Sequence, residues 1–276
     1  MSLEAQLLEL CRRQLAQGRP AVLGLNGPVG SGKTTLSLRL QHRFAEVGLR
    51  LAVVSIDDAY LPWPERLEAM AGNPFGVTRV PPGSHAPAVL RECIMRWHGR
   101  ADGVLHLPRF DKTLRQGEGD RCAEWRGQAD ALLVEGWLLG CQPLPEQQAC
   151  TAMAALPELN AAERLWAMRC NRALQDYQPL WQQLDQLVQL WPRHWWLPKR
   201  WRFQAEAKQR RSGGGWLPGA ALQGLVDASL KSLPPSLYQE PVLARADWVR
   251  VLDGRRRSVW EGSGAAALPH LQLAQP

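Results

Sequence analysis

No run in the 276 residues approaches the roughly 20 consecutive apolar positions that a membrane-spanning helix needs. None of the six cysteines (Cys11, Cys93, Cys122, Cys141, Cys150, Cys170) stands in a C-x-x-C pair, so reduced and mostly buried thiols are expected. Internal repeats and long low-complexity segments are also missing, which argues against solenoids and tails. Residues 1–17 alternate leucines with Glu4, Glu9, Arg12 and Arg13, which predicts an amphipathic helix on the core and not a signal or transit peptide. These features together predict a cytoplasmic protein with no membrane partner. What is present is ordinary in bulk, 45% hydrophobic and 21% charged, at a length that suits one large domain or a core with an insertion.

The net charge of +7 leaves nucleic acid, anionic lipid and small anions as partners. Its densest patch is WPRHWWLPKRWRFQAEAKQRR, residues 191–211, where seven Lys/Arg meet one Glu. Such a segment suits two tasks, stacking on a nucleic-acid strand or closing over nucleotide phosphates.

The sharpest signal is GLNGPVGSGKTTL, residues 24–36. Gly27-Pro28-Val29-Gly30-Ser31-Gly32-Lys33-Thr34 fits G-x-x-x-x-G-K-[ST] at every fixed position, with Thr35 following. An apolar strand, residues 21–25, precedes it, and a helix over 34–47, ended by Gly48, follows. The glycines let backbone N–H groups curl around phosphates, and the helix N-terminus adds its positive end. In this pattern Lys33 reaches the β- and γ-phosphates of ATP and the Thr34 hydroxyl ligates Mg²⁺.

A second strand over 49–56 runs into Asp57-Asp58-Ala59-Tyr60. A proline-rich irregular region follows, then a helix over 88–98, a short strand over 103–107, a loop over 108–119 and a buried strand over 130–134 that delivers Glu135-Gly136-Trp137. Helices are expected over about 157–190 and over 201–211, and a hairpin over 246–260 turning at Asp253-Gly254. Apolar strands alternating with helices predict an α/β fold, a P-loop NTPase with a three-layer α/β/α build, a mostly parallel sheet and helical lid insertions. Residues 1–276 read as a single P-loop kinase domain, with an irregular acceptor-site region about 58–125 and a helical lid region about 191–218.

In such sheets ligands sit at the carboxyl ends of the strands, where Asp57 and Glu135 stand beside the P-loop. There is no N-K-x-D guanine motif, and the strand at 132–135 ends in a lone acid followed by Gly, as in small-molecule kinases. Asp57 suits the base that takes the proton of an acceptor hydroxyl, or a carboxylate that orders Mg²⁺. Asp58 stands equally between a substrate contact and a helix cap.

SIDDAYL, NPFGVTRVPPGSH, RFDKTLRQGEGDR, LLVEGW and WRFQAE, in this order, resemble the D-glycerate 3-kinase family of the plant and cyanobacterial type, within the phosphoribulokinase, uridine kinase and pantothenate kinase group. The resemblance covers the chain from about residue 20 onward. It implies transfer of the ATP γ-phosphoryl group to the 3-hydroxyl of D-glycerate. A small anionic acceptor needs fixed positive charge, and Lys112, Arg115 and Arg121 cluster where a carboxylate grip would form, with Asp111 and Asp120 orienting them. Tyr60 and His85 each stand between lining the acceptor pocket and packing. Glu135 is expected to order a Mg²⁺-bound water or the adjoining loop. Arg202 is the candidate lid arginine, with Lys199, Arg200 and Arg211 as rivals.

Two departures from the family pattern stand out. Ala86 occupies the place of an Asp after Gly-Ser-His, which predicts a lost substrate acceptor and a drifted specificity. Gly215-Trp216 replaces Gly-Met beyond the Trp-Arg helix. Other readings are a kinase for another small acceptor, uridine- or pantothenate-like, and a nucleic-acid-binding P-loop ATPase.

Overall fold

The structure, a computed structural model, describes residues 2–100, 102–211 and 217–273. Helix α1 (Leu3–Ala16) starts at Ser2, whose Oγ accepts from the Ala5 N–H at 3.3 Å. The wholly buried strand β1 (Ala21–Asn26) leads through the glycine loop into α2 (Lys33–Ala45). That helix ends where Gly48 takes a φ of 77° and the Leu49 N–H turns back to the Phe44 carbonyl. Strand β2 (Leu51–Ser55) passes into a 3₁₀ turn, Ile56–Ala59, followed by α3 (Trp63–Ala69) and α4 (Pro87–His98). Strands β3 (Val104–Asp111) and β4 (Asp120–Gln128) form an antiparallel hairpin of their own, with a bulge next to Pro108. After β5 (Ala131–Gly136) come α5 (Glu146–Ala154), α6 (Ala161–Ala173) and α7 (Gln178–Trp181), then β6 (Gln186–Pro192) and α8 (Leu197–Arg211). The chain continues through α9 (Gly219–Lys231), α10 (Pro235–Tyr238), α11 (Glu240–Arg245), β7 (Trp248–Leu252), β8 (Ser258–Gly262) and α12 (Gly264–Leu273).

Six strands make the central sheet in the order β2-β5-β1-β6-β7-β8, parallel except for the β7–β8 hairpin at the edge. Alternate residues of the central strands feed opposite cores. Ala21, Leu23, Leu25, Ala131 and Leu133 pack with Leu3, Leu7, Leu36, Leu40 and Phe44 of α1 and α2. Val22, Val54, Leu132 and Val134 pack with Leu90, Ile94 and Trp97 of α4 and with Trp166, Ala167 and Cys170 of α6. Helices therefore cover both faces of the sheet, the three-layer α/β arrangement expected.

Several elements differ from the expectation, among them α3 inside the region read as irregular, β3 extending into the expected loop, and α5 and α9 where no element was expected. Residues 120–128 form a strand where no element was expected, because β4 is polar and mostly exposed and is held by its ladder to β3. Residues 186–192 form a central parallel strand and not the tail of a helix. The glutamines that blur its pattern are buried, and Gln189 Oε1 accepts from Asn26 Nδ2 at 2.7 Å. No described helix is long and apolar enough to cross a membrane.

Candidate active site

Strands β2, β5 and β1 end side by side, with Ser55 level with Glu135 and Asn26 level with Gly136. That alignment brings the 3₁₀ turn after β2, the Glu135 side chain and the phosphate loop to one edge of the sheet. A cavity of about 820 Å³ opens there, lined by Gly30, Gly32, Lys33, Thr34 and Thr35 of the loop and by Asp57, Asp58, Tyr60, Lys112, Glu135 and Arg202.

The loop is built as a cradle. Gly30 and Gly32 hold φ of 74° and 92°, and a Cβ on Gly30 would lie 2.8 Å from Trp201 Cβ and 2.9 Å from the Arg202 nitrogen. Helix α8 therefore rests directly on the loop tip. Lys33 Nζ donates to the Gly27 carbonyl at 2.8 Å and the Pro28 carbonyl at 3.2 Å. Burial pulls the Lys33 ammonium below its usual range, while the charges of Glu135 and Asp57 oppose that pull. Burial also raises the Glu135 carboxyl, and its Oε2 is a buried acceptor without a partner among the described residues.

A hard cation bridging nucleotide phosphates would find oxygen donors here and no competing soft ligands. The Thr34 hydroxyl is exposed to the cavity, the orphaned Glu135 Oε2 faces the same region, and Asp57 lines the wall. Among the described residues no group of three His, Cys, Asp or Glu side chains assembles a metal cage. The donor set fits a Mg²⁺ that arrives with the nucleotide, not one held by protein alone.

Asp57 is the most heavily supported acid. Its Oδ2 accepts from Lys112 Nζ at 2.9 Å, and its Oδ1 accepts from the Tyr60 hydroxyl at 2.9 Å. His85 Nε2 lies 3.6 Å from the same Oδ1. Burial alone would raise this carboxyl, but Lys112 and His85 outweigh it and hold it well below the usual carboxylate range. His85 is itself buried, stacked on Tyr60 at 4.4 Å, with Nδ1 2.8 Å from the Tyr177 hydroxyl. The Gly83 N–H donates to the Tyr177 oxygen, and the tautomer in which the Tyr177 O–H donates to Nδ1 would carry the ring proton on Nε2, on the side of Asp57. Burial keeps the ring neutral by lowering its affinity for a second proton. His85 thus backs the Tyr60–Asp57 pair and is absent from the cavity wall.

Asp58 lines the cavity, yet its carboxylate is occupied. It accepts from the Ser55 N–H at 3.0 Å, from Arg109 Nη1 at 3.0 Å and from the Phe110 N–H at 3.3 Å. Of its two expected roles the geometry shows the cap: with Ser55 it closes the capping box of the 3₁₀ turn, and through Arg109 and Phe110 it also ties the β3–β4 hairpin to the end of β2. Arg121 is also displaced from its expected place: its Nε donates to the Tyr60 carbonyl at 2.8 Å and the residue is not part of the cavity wall. Arg115 pairs with Asp120 at 3.1 Å. Only Lys112 of the expected cation cluster reaches the cavity.

Ala86 is the N-cap of α4, with Pro87 at the first helical position and no side-chain cap. Its N–H donates to the Ala59 carbonyl at 2.7 Å, and it is not in the cavity wall. Ala86 thus stands at an uncapped helix start outside the cavity wall.

On α8, Arg202 faces the cavity and pairs with Glu206 at 2.9 Å. The rivals Lys199, Arg200 and Arg211 are exposed and line no part of it, whereas Lys208 does. Gly215 and Trp216 lie outside the described residues. Trp201 is fully buried, and its Nε1 donates to the Gly254 carbonyl at 3.1 Å. Sequence reasoning missed Arg256, in the β7–β8 turn. Its Nε donates to the Gly30 carbonyl at 2.7 Å, its Nη2 to the Trp201 carbonyl at 2.9 Å, and its guanidinium lies over the Trp201 ring at 5.6 Å. It separates the large cavity from a second of about 490 Å³, which shares Gly32, Thr35 and Arg256 with it. A turn motif rich in arginine carried no signal of its own.

No protein-family model matches the chain. Over 200 residues it is 32% identical to an uncharacterized kinase, mug58, of Schizosaccharomyces pombe, an alignment spanning 69% of this chain and 71% of that protein. It is 30% identical over 241 residues to the chloroplastic D-glycerate 3-kinase of Arabidopsis thaliana, covering 80% of this chain and 49%, about half, of the plant enzyme. A solved structure of D-glycerate 3-kinase from Cryptococcus neoformans superposes with a TM-score of 0.80 at 25% identity, over 95% of this chain and 99% of that one. The chain belongs to the D-glycerate 3-kinase family of P-loop kinases. The YGR205w protein shares the fold, with a TM-score of 0.72 at 21% identity over 95% of this chain and 98% of that one. Three of these relatives are kinases by name, two of them D-glycerate 3-kinases, and a phosphate loop facing a cavity is the geometry that phosphoryl transfer needs.

Proposed function

We propose that the protein transfers the γ-phosphoryl group of ATP to the 3-hydroxyl of D-glycerate, as one P-loop kinase unit working in the cytoplasm. The observation that carries the reading is the juxtaposition of Asp57 and Lys33 in one cavity whose wall also carries Arg79, Lys112, Arg202, Lys208 and Arg256. The loop N–H groups and Lys33 hold the β- and γ-phosphates, with the nucleoside running into the smaller cavity behind Arg256. Thr34, Glu135 and Asp57 are the residues that would hold Mg²⁺, directly or through water. Bound there, the ion supplies neutralisation of phosphate charge. Asp57 receives the acceptor hydroxyl in place of Lys112 Nζ or Tyr60 O–H and takes its proton. The contacts that keep this carboxylate ionised also weaken it as a base, which suits a transfer with a loose transition state, where positioning and charge dominate. Arg202 and Lys208 on α8 stand over the loop to meet charge on the transferring group.

The test is ADP release by the purified protein with Mg²⁺-ATP, with and without D-glycerate. At least tenfold stimulation by D-glycerate, with none by uridine or pantothenate, is expected. Equal rates with and without D-glycerate sink the acceptor assignment.

A further inference from the structure

The segment NPFGVTRVPPGSH contains an arginine that the reaction described so far does not use. Arg79 lines the large cavity beside Tyr60, Phe110 and Lys112. The other cations of that wall have partners. Lys33 is on the loop carbonyls, Lys112 on Asp57, Arg202 on Glu206 and Arg256 on Gly30 and Trp201, while Lys208 is also engaged. Arg79 forms no ion pair with a carboxylate among the described residues. Its Nη1 donates to the Gly117 and Glu118 carbonyls, both at 2.9 Å, and its Nε and Nη2 have no protein partner there.

The turn that grips it is built for the purpose. Arg115, Gln116, Gly117 and Gly119 hold φ of 53°, 58°, 94° and 78°, which rotates successive carbonyls inward. The same turn holds Arg66, whose Nη2 donates to the shared Glu118 carbonyl at 3.1 Å and to the Gly119 carbonyl at 2.5 Å. Arg66 is fully buried, braced against the Phe110 ring at 4.8 Å, and it too has no ion pair. Two guanidinium charges thus converge on one turn without an ion pair among the described residues; the Asp120 and Glu118 carboxylates act on Arg66 only at a distance, being engaged with Arg115 and with the Thr78 hydroxyl. Next to Arg79, Val80 holds a φ of 95°, a strained conformation for a β-branched residue. Strain of this kind persists where the surroundings fix a side chain for a task. The unmet need at this end of the cavity is an anion, and the free Nε–Nη2 edge of a guanidinium matches a carboxylate with two parallel hydrogen bonds.

We infer that Arg79 recognises the acceptor's carboxylate and so selects a hydroxy acid over a neutral polyol; the inference rests on the kinase reading above. Nη1 stays on the turn carbonyls as the fixed hinge, and Nε and Nη2 take the two carboxylate oxygens. Arg66 acts behind it, adding buried positive charge without touching the acceptor.

The experiment is steady-state kinetics and calorimetric binding for the native protein, Arg79→Gln and Arg79→Lys, with D-glycerate and glycerol as acceptors. Arg79→Gln is expected to raise the KM for D-glycerate by roughly 30-fold or more, to change kcat by less than about fivefold and to leave the KM for ATP within about twofold. The preference for D-glycerate over glycerol should fall by a similar factor. Arg79→Lys, a point charge without the fork, should fall between the two and guards against a Gln variant that fails to fold. An unchanged KM for D-glycerate in either variant overturns the assignment and leaves the kinase reading intact. If the native protein does not turn over D-glycerate, the kinase reading fails, and binding decides the inference separately. Calorimetric affinity for D-glycerate that is lost in Arg79→Gln supports it, and affinity that is equal or absent in both proteins overturns it.

Discussion

Asp57 gathers three neighbours that differ in kind: a cation, a phenol and a neutral imidazole. Each holds the carboxylate in one orientation, and none is needed to bind ATP. Asp57→Asn is therefore expected to lower kcat by about 10²–10⁴ with the KM for ATP nearly unchanged, measured by initial rates at saturating D-glycerate. A turnover within threefold of the native protein would remove the base from this position. Ala86 contrasts with Asp57, standing at the uncapped N-cap position of α4 and outside the cavity wall. Ala86→Asp should stabilise the fold by about 0.5–2 kcal/mol in denaturant titration, through a cap on the α4 N–H groups, with the KM for D-glycerate unaltered. A large fall in that KM would instead make Ala86 a specificity position.

Under the proposed reading the β3–β4 hairpin is the element that adds an acceptor site to the phosphate site. Arg109 of β3 makes the tie to Asp58, and the hairpin's turn carries Lys112 and the carbonyls for Arg66 and Arg79. Gly119 is the sensitive point, because its φ is positive and a Cβ there would overlap the Phe110 ring. Gly119→Ala should lower Tm by about 2–8 °C and raise the KM for D-glycerate more than that for ATP. Much of this element was hidden in the sequence. The phosphate loop, its strand and its helix were legible because glycine geometry and apolar periodicity are local. The G-E-G-D run at 117–120 is equally local, but what it does depends on Arg66 and Arg79 some 38 to 53 positions away. Strand β4 has too little buried surface to leave a pattern, and β6 hides its strand nature behind glutamines that only the folded sheet pairs. Asp57 and Glu135 were found because strand ends carry ligands in such sheets. Arg79 and Arg256 were not, since a lone arginine in a loop has no periodicity to betray it.

At the scale of the molecule, the two cavities flank the phosphate loop and meet at Arg256, and the proposed reaction would use them as separate nucleotide and acceptor compartments. The same packing sorts the thiols. Burial pushes Cys11, Cys141 and Cys170 up to about 12, while Cys122 and Cys150 are exposed and Cys93 is half-buried. Titration with a thiol reagent at pH 8 should show two fast cysteines and one slower one, with the remaining three reacting only on unfolding. Rapid reaction of all six in native buffer would contradict the packing of both sheet faces. The central claim concerns where the phosphoryl group goes. The most direct measurement is phosphorus and carbon NMR of the product formed from ATP, Mg²⁺ and D-glycerate. The account predicts 3-phosphoglycerate as the sole new phosphate ester. Formation of 2-phosphoglycerate, or of ADP and inorganic phosphate alone, would contradict it.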